Sequence, residues 1–253
     1  MGARVAELSW MEVRPLLERG AIAVLPIGAA AKEHGPHLPL ATDYLTAEAL
    51  GARLAARADV LVWPTVGYAY YPAFVDYPGS TSVPEEVFEA TVEALLRDLH
   101  RAGAKRALVW NTGVSTIRAV EAACIGMQES VRCAAVHVYR AAGYLSALDR
   151  RIEQPSLGAR GEGHADEAET SVMLHLHPER VRMELAPCWT APMAKRPWSP
   201  TDPSHPSYSP SGVRGDATLA TAEKGAALVE AMLADAEAAL ARLATDESWR
   251  APR

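Results

Sequence analysis

The sequence predicts an α/β protein: a single three-layer domain in which a mostly parallel sheet is flanked by helices. Short apolar runs rich in β-branched residues alternate along the chain with longer segments of helical periodicity. Strand and helix in alternation are typical of parallel sheets covered on both faces. The chain has 253 residues with 49% hydrophobic content, which is enough to bury one undivided α/β core.

Four apolar runs, each followed by glycine or polar residues, are the predicted strands: 22–27, 60–66, 107–110 and 134–139. Helical patterns occupy residues 44–57, 84–102, 114–130, 166–175 and 217–243. The second helix has the clearest limits, because Ser82 and Pro84 precede its acidic first turn and Gly103 follows its end. The domain is expected to span residues 1–244, and residues 245–253 are expected to form a polar, loosely ordered tail.

Composition excludes several classes of partner. The formal net charge of -6 and scattered arginines give no basic surface for nucleic acid. No apolar run approaches the roughly 20 residues that span a bilayer, and no export signal is recognisable, so a cytoplasmic protein without a membrane partner is expected. Cys124, Cys133 and Cys188 form no C-x-x-C pair, which predicts reduced thiols.

The most informative segment follows the first predicted strand. Between residues 32 and 43 it contains Lys32, His34, His37 and Asp43. In α/β enzymes, side chains just beyond the carboxyl end of a strand commonly form the active site. Histidine and aspartate are ligands for zinc or manganese, and the turn at 35–36 allows residues nine apart to converge. Metal-assisted hydrolysis is therefore the first hypothesis.

A purely structural interpretation stays open at this point. Histidines near proline and glycine often hydrogen-bond only the loop backbone. Asp43 precedes a helical pattern and could serve as its N-cap.

Four motifs resemble those of the creatininase (creatinine amidohydrolase) family, and the similarity extends over about residues 20–230. They are EHGPHLPLATD at 33–43, YPGSTS at 77–82, HADEAETS at 164–171, and GVRGD at 212–216 continued by ATAEKG at 220–225. The resemblance implies a creatininase-like fold and hydrolysis of a small amide. It also implies a dinuclear metal centre and a homo-oligomer, hexameric in the family.

Two positions depart from the family pattern. The resemblance assigns one metal ion to His34, Asp43 and Glu169, all of which are present. The other ion would need a glutamate where Lys32 stands and a histidine where Gly113 stands. A protonated lysine cannot ligate a cation. We therefore expect one divalent ion, zinc or manganese, with Lys32 filling part of the vacated second position as a fixed positive charge near Asp43.

Further site residues follow from the same comparison. The resemblance assigns His164 the role of a catalytic histidine that protonates the leaving nitrogen or polarises the carbonyl; the alternative is an exposed loop histidine. His37 is expected either to orient Asp43 or to satisfy loop backbone, and Asn111 to hold its loop near the metal.

Glu33 is a possible substitute for the missing carboxylate. Strand-like alternation opposes this, because it would direct Glu33 away from its neighbours Lys32 and His34. The segment 187–211, rich in proline and containing Trp189 and Trp198, is expected either to lean over the pocket or to form a subunit contact.

The sequence thus predicts a metal-dependent hydrolase that cleaves the C–N bond of a small cyclic amide or formamide with metal-activated water. In this hypothesis Lys32 stabilises the oxyanion and His164 protonates the departing nitrogen. The alternative is a non-catalytic relative that acts as a binding or assembly protein. Lys32 and Gly113 motivate the alternative, whereas the retained site residues oppose it.

Overall fold

The computed structural model describes residues 2–153, 163–191, 193 and 196–245. Most of the expected tail, residues 246–253, lies outside the described part. Thr245, expected to begin that tail, is instead the last residue of the C-terminal helix. No helix in the described ranges is long and apolar enough to cross a membrane.

A five-stranded parallel sheet forms the centre of the fold. Its strands are β1 (Ala3–Arg4), β2 (Ile22–Ile27), β3 (Val60–Val62), β4 (Arg106–Asn111) and β5 (Arg132–His137). They lie in the order β1-β3-β2-β4-β5. The expected α/β class with a parallel sheet is therefore confirmed.

Helices cover both faces of this sheet. They are α1 (Trp10–Glu18), α2 (Thr42–Arg57), α3 (Glu85–Arg101), α4 (Ile117–Gly126), α5 (Ala142–Arg151), α6 (Glu167–Leu176) and α7 (Ala222–Thr245). Strand side chains alternate between two hydrophobic clusters: Leu108 and Trp110 of β4 pack towards α2, α5, α6 and α7, whereas Ala107 and Val109 pack towards α1, α3 and α4. The predicted three layers follow directly from this alternation.

Several elements differ from the sequence prediction. β1, α1 and α5 were not predicted. The strand expected at 60–66 ends at Val62, since Pro64 cannot donate a ladder hydrogen bond, and Val66 forms only an isolated bridge with Ile27. The last helix begins at Ala222, after a short 3-10 turn at Ala217–Leu219.

The strand order places a crevice at one edge of the sheet. From β2 the chain moves to β3 on one side, and it later returns to β4 and β5 on the other. Loops that leave the carboxyl ends of β2 and β4 therefore diverge, and such a point is where open α/β sheets bind ligands. A short antiparallel pair, β6 (Cys188–Trp189) and β7 (Gly215–Asp216), lies outside the main sheet.

Candidate metal centre and cavity

A cavity of about 460 Å³ lies at this carboxyl edge. Its described lining contains charged and polar side chains together with several aromatic rings. These residues are Lys32, Tyr71, Ala73, Phe74, Thr112, Val114, Ser115, Tyr139, Arg140, Gly163, His164, Glu169, Met193, Arg196, Trp198 and Arg214. Of the catalytic and metal-binding residues predicted from sequence, Lys32, His164 and Glu169 line it directly.

Lys32, His34 and Asp43 form a buried cluster at the base of the cavity. The Lys32 Nζ lies 2.6 Å from Asp43 Oδ2, and His34 Nε2 lies 3.1 Å from Asp43 Oδ1. Asp43 belongs to the first turn of α2, whose N-cap is Ala41, so the alternative in which Asp43 caps the helix is wrong. Its carboxylate is directed at the two basic side chains instead.

Burial and charge compete at Asp43. The carboxyl is completely buried, which opposes its ionisation, but the charges of Lys32 and His34 and the hydrogen bond from His34 outweigh burial. The pKa of Asp43 consequently stays well below its usual range. The Lys32 ammonium also lies 5.4 Å from the ring centroids of Tyr71 and Phe74, which favours the cation at this position.

His34, His164 and Glu169 form a group of possible ligands. One donor atom from each lies within 4.8 Å of the others. His164 Nδ1 is 3.7 Å from Glu169 Oε2, and the two histidine rings are 4.9 Å apart. The structure therefore brings together residues separated by 130 positions in the sequence, and in this compact group His164 stands where Asp43 was expected.

The orientation of both histidines is fixed by oxygen acceptors. His34 Nδ1 lies 2.9 Å from the Lys32 carbonyl oxygen, which can only accept, so this nitrogen is assigned the proton. His164 Nε2 lies 2.8 Å from the Glu33 carbonyl oxygen and 3.0 Å from Glu33 Oε2. His34 Nε2 and His164 Nδ1 are the nitrogens left facing the other ligand atoms.

Strand-like alternation predicted that Glu33 would be directed away from Lys32 and His34, and the structure shows why that argument fails. β2 ends at Ile27, so residues 32–34 are loop and the alternation argument does not apply. Glu33 is buried, and its carboxylate accepts from Gly35 N and contacts His164. Burial opposes ionisation of Glu33, but the hydrogen bond and charge of His164 lower its pKa. In return, these interactions overcome burial and raise the pKa of His164.

The start of α6 positions His164 and Glu169. Asp166 is the N-cap and accepts from Ala168 N and Glu169 N at 3.0 and 3.1 Å. Glu169 reaches back to accept from Ala165 N at 2.6 Å. Ala165 has a φ of 47°, a left-handed conformation that costs energy for a residue with a Cβ. This strained turn connects the histidine to the helix that carries the carboxylate.

Asn111 holds the loop that follows β4. Its Nδ2 donates to the Gly113 carbonyl oxygen at 2.8 Å, and its Oδ1 accepts from Gly113 N and Thr116 Oγ1. A Cβ at Gly113 would lie 2.4 Å from Thr116 Oγ1. The loop therefore has no room for a larger side chain at position 113 in its present conformation.

His37 contacts neither Asp43 nor a loop carbonyl in the described hydrogen bonds. Its Nε2 lies 2.8 Å from Thr170 Oγ1 on α6, so the expectation that it orients Asp43 is wrong. Burial lowers the pKa of His37 to about 4. The neutral ring thus ties the motif at residues 33–43 to the helix that carries Glu169.

The described part of segment 187–211 lies over the cavity, which is the first of the two arrangements expected from the sequence. Trp198 is buried and packs its ring edge against Phe74 and His164, with centroids 5.1 and 5.7 Å apart. Sequence reasoning missed Phe74, Arg140 and Arg214 as lining residues. The signals that were available are the position of Arg140 just after the fourth predicted strand and of Arg214 within a family-like motif.

Comparisons with known proteins all point to the same family. A family model described as creatininase, creatinine amidohydrolase, matches residues 6–240. Creatinine amidohydrolase of Pseudomonas putida is 29% identical over 243 residues, covering 89% of this chain and 91% of that protein. The mycofactocin precursor peptide peptidase of Mycobacterium ulcerans is 32% identical over 232 residues, covering 87% of this chain and 84% of the relative. Both relatives are hydrolases by name.

Solved structures agree on the fold. A crystal structure of creatinine amidohydrolase (creatininase) superposes with a TM-score of 0.81 at 24% identity, covering 95% of this chain and 97% of the other. A structure described as "Creatininase Mn" gives a TM-score of 0.78 at 24% identity, covering 95% and 98%. Because the family model matches almost the whole length of this chain, the chain belongs to the creatininase family.

Proposed function

We propose that this protein is a metal-dependent hydrolase that uses one divalent ion to cleave the C–N bond of a small amide. The observation that carries the proposal is the convergence of His34, His164 and Glu169 beside Asp43 at one cavity. Zinc and manganese are the ions of choice, because related structures are described as "Creatininase Mn" and as a mutant of "Zn-Zn type". The amide class follows from the relatives, a creatinine amidohydrolase and a peptidase.

The donor set fits a cation at His34 and Asp43. His34 Nδ1 is directed at the Lys32 carbonyl oxygen, so His34 Nε2 is the nitrogen that faces Asp43 Oδ1, 3.1 Å away. Without a metal ion a proton on Nε2 can bridge these two atoms, and a divalent ion would take the place of that proton. Two ligand atoms that share one ion at about 2.1 Å each must lie within about 4.2 Å of each other, and the 3.1 Å separation of these two atoms meets that condition. We propose His34, Asp43 and Glu169 as the ligands.

His164 is proposed as the proton donor to the leaving nitrogen. It lies between two carboxylates, with Glu33 at Nε2 and Glu169 at Nδ1. Glu33 holds Nε2, whereas Nδ1 lies 3.7 Å from Glu169, which like His164 lines the cavity, so a proton at Nδ1 can be delivered to a bound substrate. Phe74 and Trp198 pack around the ring and exclude water from this proton.

Lys32 is proposed to stabilise the negative charge that develops on the carbonyl oxygen. Its ammonium lines the cavity and is held by Asp43, so it is already oriented before substrate binds. His34, Asp43 and Glu169 would hold a divalent ion, which would lower the pKa of a bound water and so make hydroxide available at neutral pH. The chain's own residues thereby provide the charge, the proton and the water-excluding wall.

Metal content tests the assignment. Protein purified without chelator is expected to contain about one equivalent of zinc or manganese by mass spectrometry. Asp43→Asn should abolish binding, whereas His164→Gln should retain the ion and lose hydrolysis of formamides and cyclic amides. His100→Gln, at an exposed histidine of α3, is the matched control. Two equivalents in the wild-type protein would overturn the argument from the lost ligands.

A second arrangement of ligands predicts a different result. In the most compact group, His164 Nδ1 would replace Asp43 as the third ligand. His164→Gln would then release the metal and Asp43→Asn would leave it bound. The two variants therefore separate the two arrangements in one experiment.

A non-catalytic function is the second candidate, and the Lys32–Asp43 ion pair favours it. At 2.6 Å the ammonium already neutralises the carboxylate without any metal ion. A wild-type protein that contains no metal and does not change its stability with added manganese would support a binding or assembly role.

Assembly and location are proposed from the family resemblance. We propose a homo-oligomer, hexameric by family resemblance, acting in the cytoplasm. The large apolar side chains of Trp10, Met11 and Ile125 are 66%, 65% and 66% exposed, which supports contacts between subunits. Sedimentation velocity would measure the mass directly, and a monomer at micromolar concentration would contradict this proposal.

A further inference from the structure

The geometry points to an anion subsite: we infer that the substrate carries a carboxylate or phosphate group, which Arg140 and Arg196 bind. The inference rests on the proposed function for the amide that is cleaved. It adds the chemical class of the group attached to that amide.

Three arginine side chains reach this cavity from separate segments of the chain. Arg140 follows β5, Arg196 belongs to the loop over the cavity, and Arg214 lies beside His164. Glu169 is the one carboxylate residue among the described lining residues. The protein as a whole has an excess of acidic residues and a formal charge of -6, so this concentration of positive charge is local.

Arg140 and Arg196 form no ion pair and no side-chain hydrogen bond within the described ranges of the chain. Other exposed arginines behave differently: Arg57 binds Glu230, and Arg118 binds Glu85. Guanidinium groups recognise planar carboxylates and phosphates through paired hydrogen bonds. Two unpaired guanidinium groups that share a cavity are therefore suited to such an anion.

Backbone hydrogen bonds join the main chain at Arg214, and the chain close to Arg196, to the surroundings of the candidate metal centre. The main chains of Arg214 and His164 exchange two hydrogen bonds of 2.9 and 3.0 Å. Arg196 lies two residues before Trp198, whose ring is buried against Phe74 and whose amide donates to the Ala73 carbonyl at 2.8 Å. A substrate that fills the 460 Å³ cavity can thus place its amide near His164 and its anionic end near the arginines.

Titration calorimetry with matched ligands tests the inference. The probes are N-formylglycine, N-formyl-β-alanine and N-formyl-γ-aminobutyrate, which vary the distance between formamide and carboxylate, and their uncharged carboxamides. Inorganic phosphate is a further probe for a phosphate end. Each is titrated into the full chain, both treated with chelator and loaded with manganese. The variants are Arg140→Gln combined with Arg196→Gln, and Arg97→Gln on the exposed face of α3 as control.

At least one acid is expected to bind at least about tenfold more tightly than its carboxamide, because hydrogen bonds between charged groups are stronger than those between neutral groups. The double variant should reduce that preference below about threefold, and Arg97→Gln should leave it unchanged. Phosphate that binds more tightly than every acid, and depends on the same arginines, would identify a phosphate end. Equal binding of acid and carboxamide, binding of no probe, or a preference kept by the double variant would overturn the inference.

The two metal states separate this inference from the proposed function. An arginine-dependent preference for anions in chelator-treated protein supports the subsite even if the protein proves to bind no metal. Metal binding without any preference for anions would retain the hydrolase and remove the subsite.

Discussion

Replacement of Lys32 by glutamine tests the charge arrangement at the centre of the site. The Lys32 ammonium lies 2.6 Å from Asp43 Oδ2, and the two side chains are 8% and 0% exposed. At an effective dielectric constant of about 20, this separation corresponds to an attraction of about 6 kcal/mol, before the cost of desolvation. Removal of one partner from a buried pair typically costs about 3–5 kcal/mol. Metal-free Lys32→Gln should lose about this much free energy of unfolding.

Manganese should reverse much of that loss. A ligand present at about 100 times its dissociation constant stabilises the folded state by about 2.7 kcal/mol. In Lys32→Gln the ion meets an uncompensated carboxylate and no neighbouring ammonium, so it should bind more tightly than in the wild-type protein. The stability difference between the two proteins is expected to shrink by at least about 1 kcal/mol when manganese is added.

Urea denaturation at pH 7.5, with chelator and with manganese, measures both differences. Lys105→Gln is the control, since Lys105 is exposed and the change should stay within about 0.5 kcal/mol. A cost below about 1 kcal/mol without metal would show that the ion pair does not stabilise the fold. An equal cost with and without manganese would refute a metal ion beside Asp43.

Three further changes test the surroundings of the site by urea denaturation. Ala165→Gly should stabilise the protein by about 0.5–1 kcal/mol because it relieves the strained φ of 47°, whereas Ala168→Gly inside α6 should cost about 1 kcal/mol; a loss at position 165 would contradict this. Gly225→Ala should destabilise by more than about 2 kcal/mol, since its Cβ would lie 1.8 Å from the Ser171 carbonyl oxygen; a neutral effect would exclude this close contact. Desolvation lowers the pKa of Lys224, but hydrogen bonds to two glutamates outweigh it and raise this pKa. The stabilisation that Lys224 gives the folded state is therefore complete below pH 10.5 and is lost as the pH rises through the folded-state pKa. The difference in unfolding free energy between the wild-type protein and Lys224→Met should narrow above pH 10.5, and a constant difference would contradict the ion pairs.

The parts of the fold that the sequence predicted are those governed by local patterns. Strand β2 matches its predicted limits because all six residues are apolar and buried. Helix α5 was missed because its start depends on a distant residue: Gly143 N and Tyr144 N donate to Asp235, which belongs to α7. A cap supplied from 91 positions away leaves no local signal.

The candidate site also combines features that local sequence patterns predict with features that depend on distant contacts. Residue types and spacing singled out His34 and Asp43 as candidate ligands, and the family resemblance added Glu169. They could not predict that Glu33 would orient His164, because that contact joins two loops 131 positions apart. Nor could they predict the arginines of the cavity, since their convergence depends on how the loop containing Trp198 lies over the sheet edge.

The two departures from the family pattern are consistent with each other under the proposed assignment. A carboxylate together with a divalent ion has a combined charge of +1, and one lysine ammonium has the same charge. Lys32 can therefore replace a glutamate and its metal ion without changing the net charge next to the buried Asp43 carboxylate. Once the second ion is absent, a histidine at position 113 has nothing to bind, and Thr116 Oγ1 can lie within 2.4 Å of the place that its Cβ would take. Under the proposed function, the lysine and the glycine are therefore two parts of one change in the site, from two ions to one ion and a fixed charge.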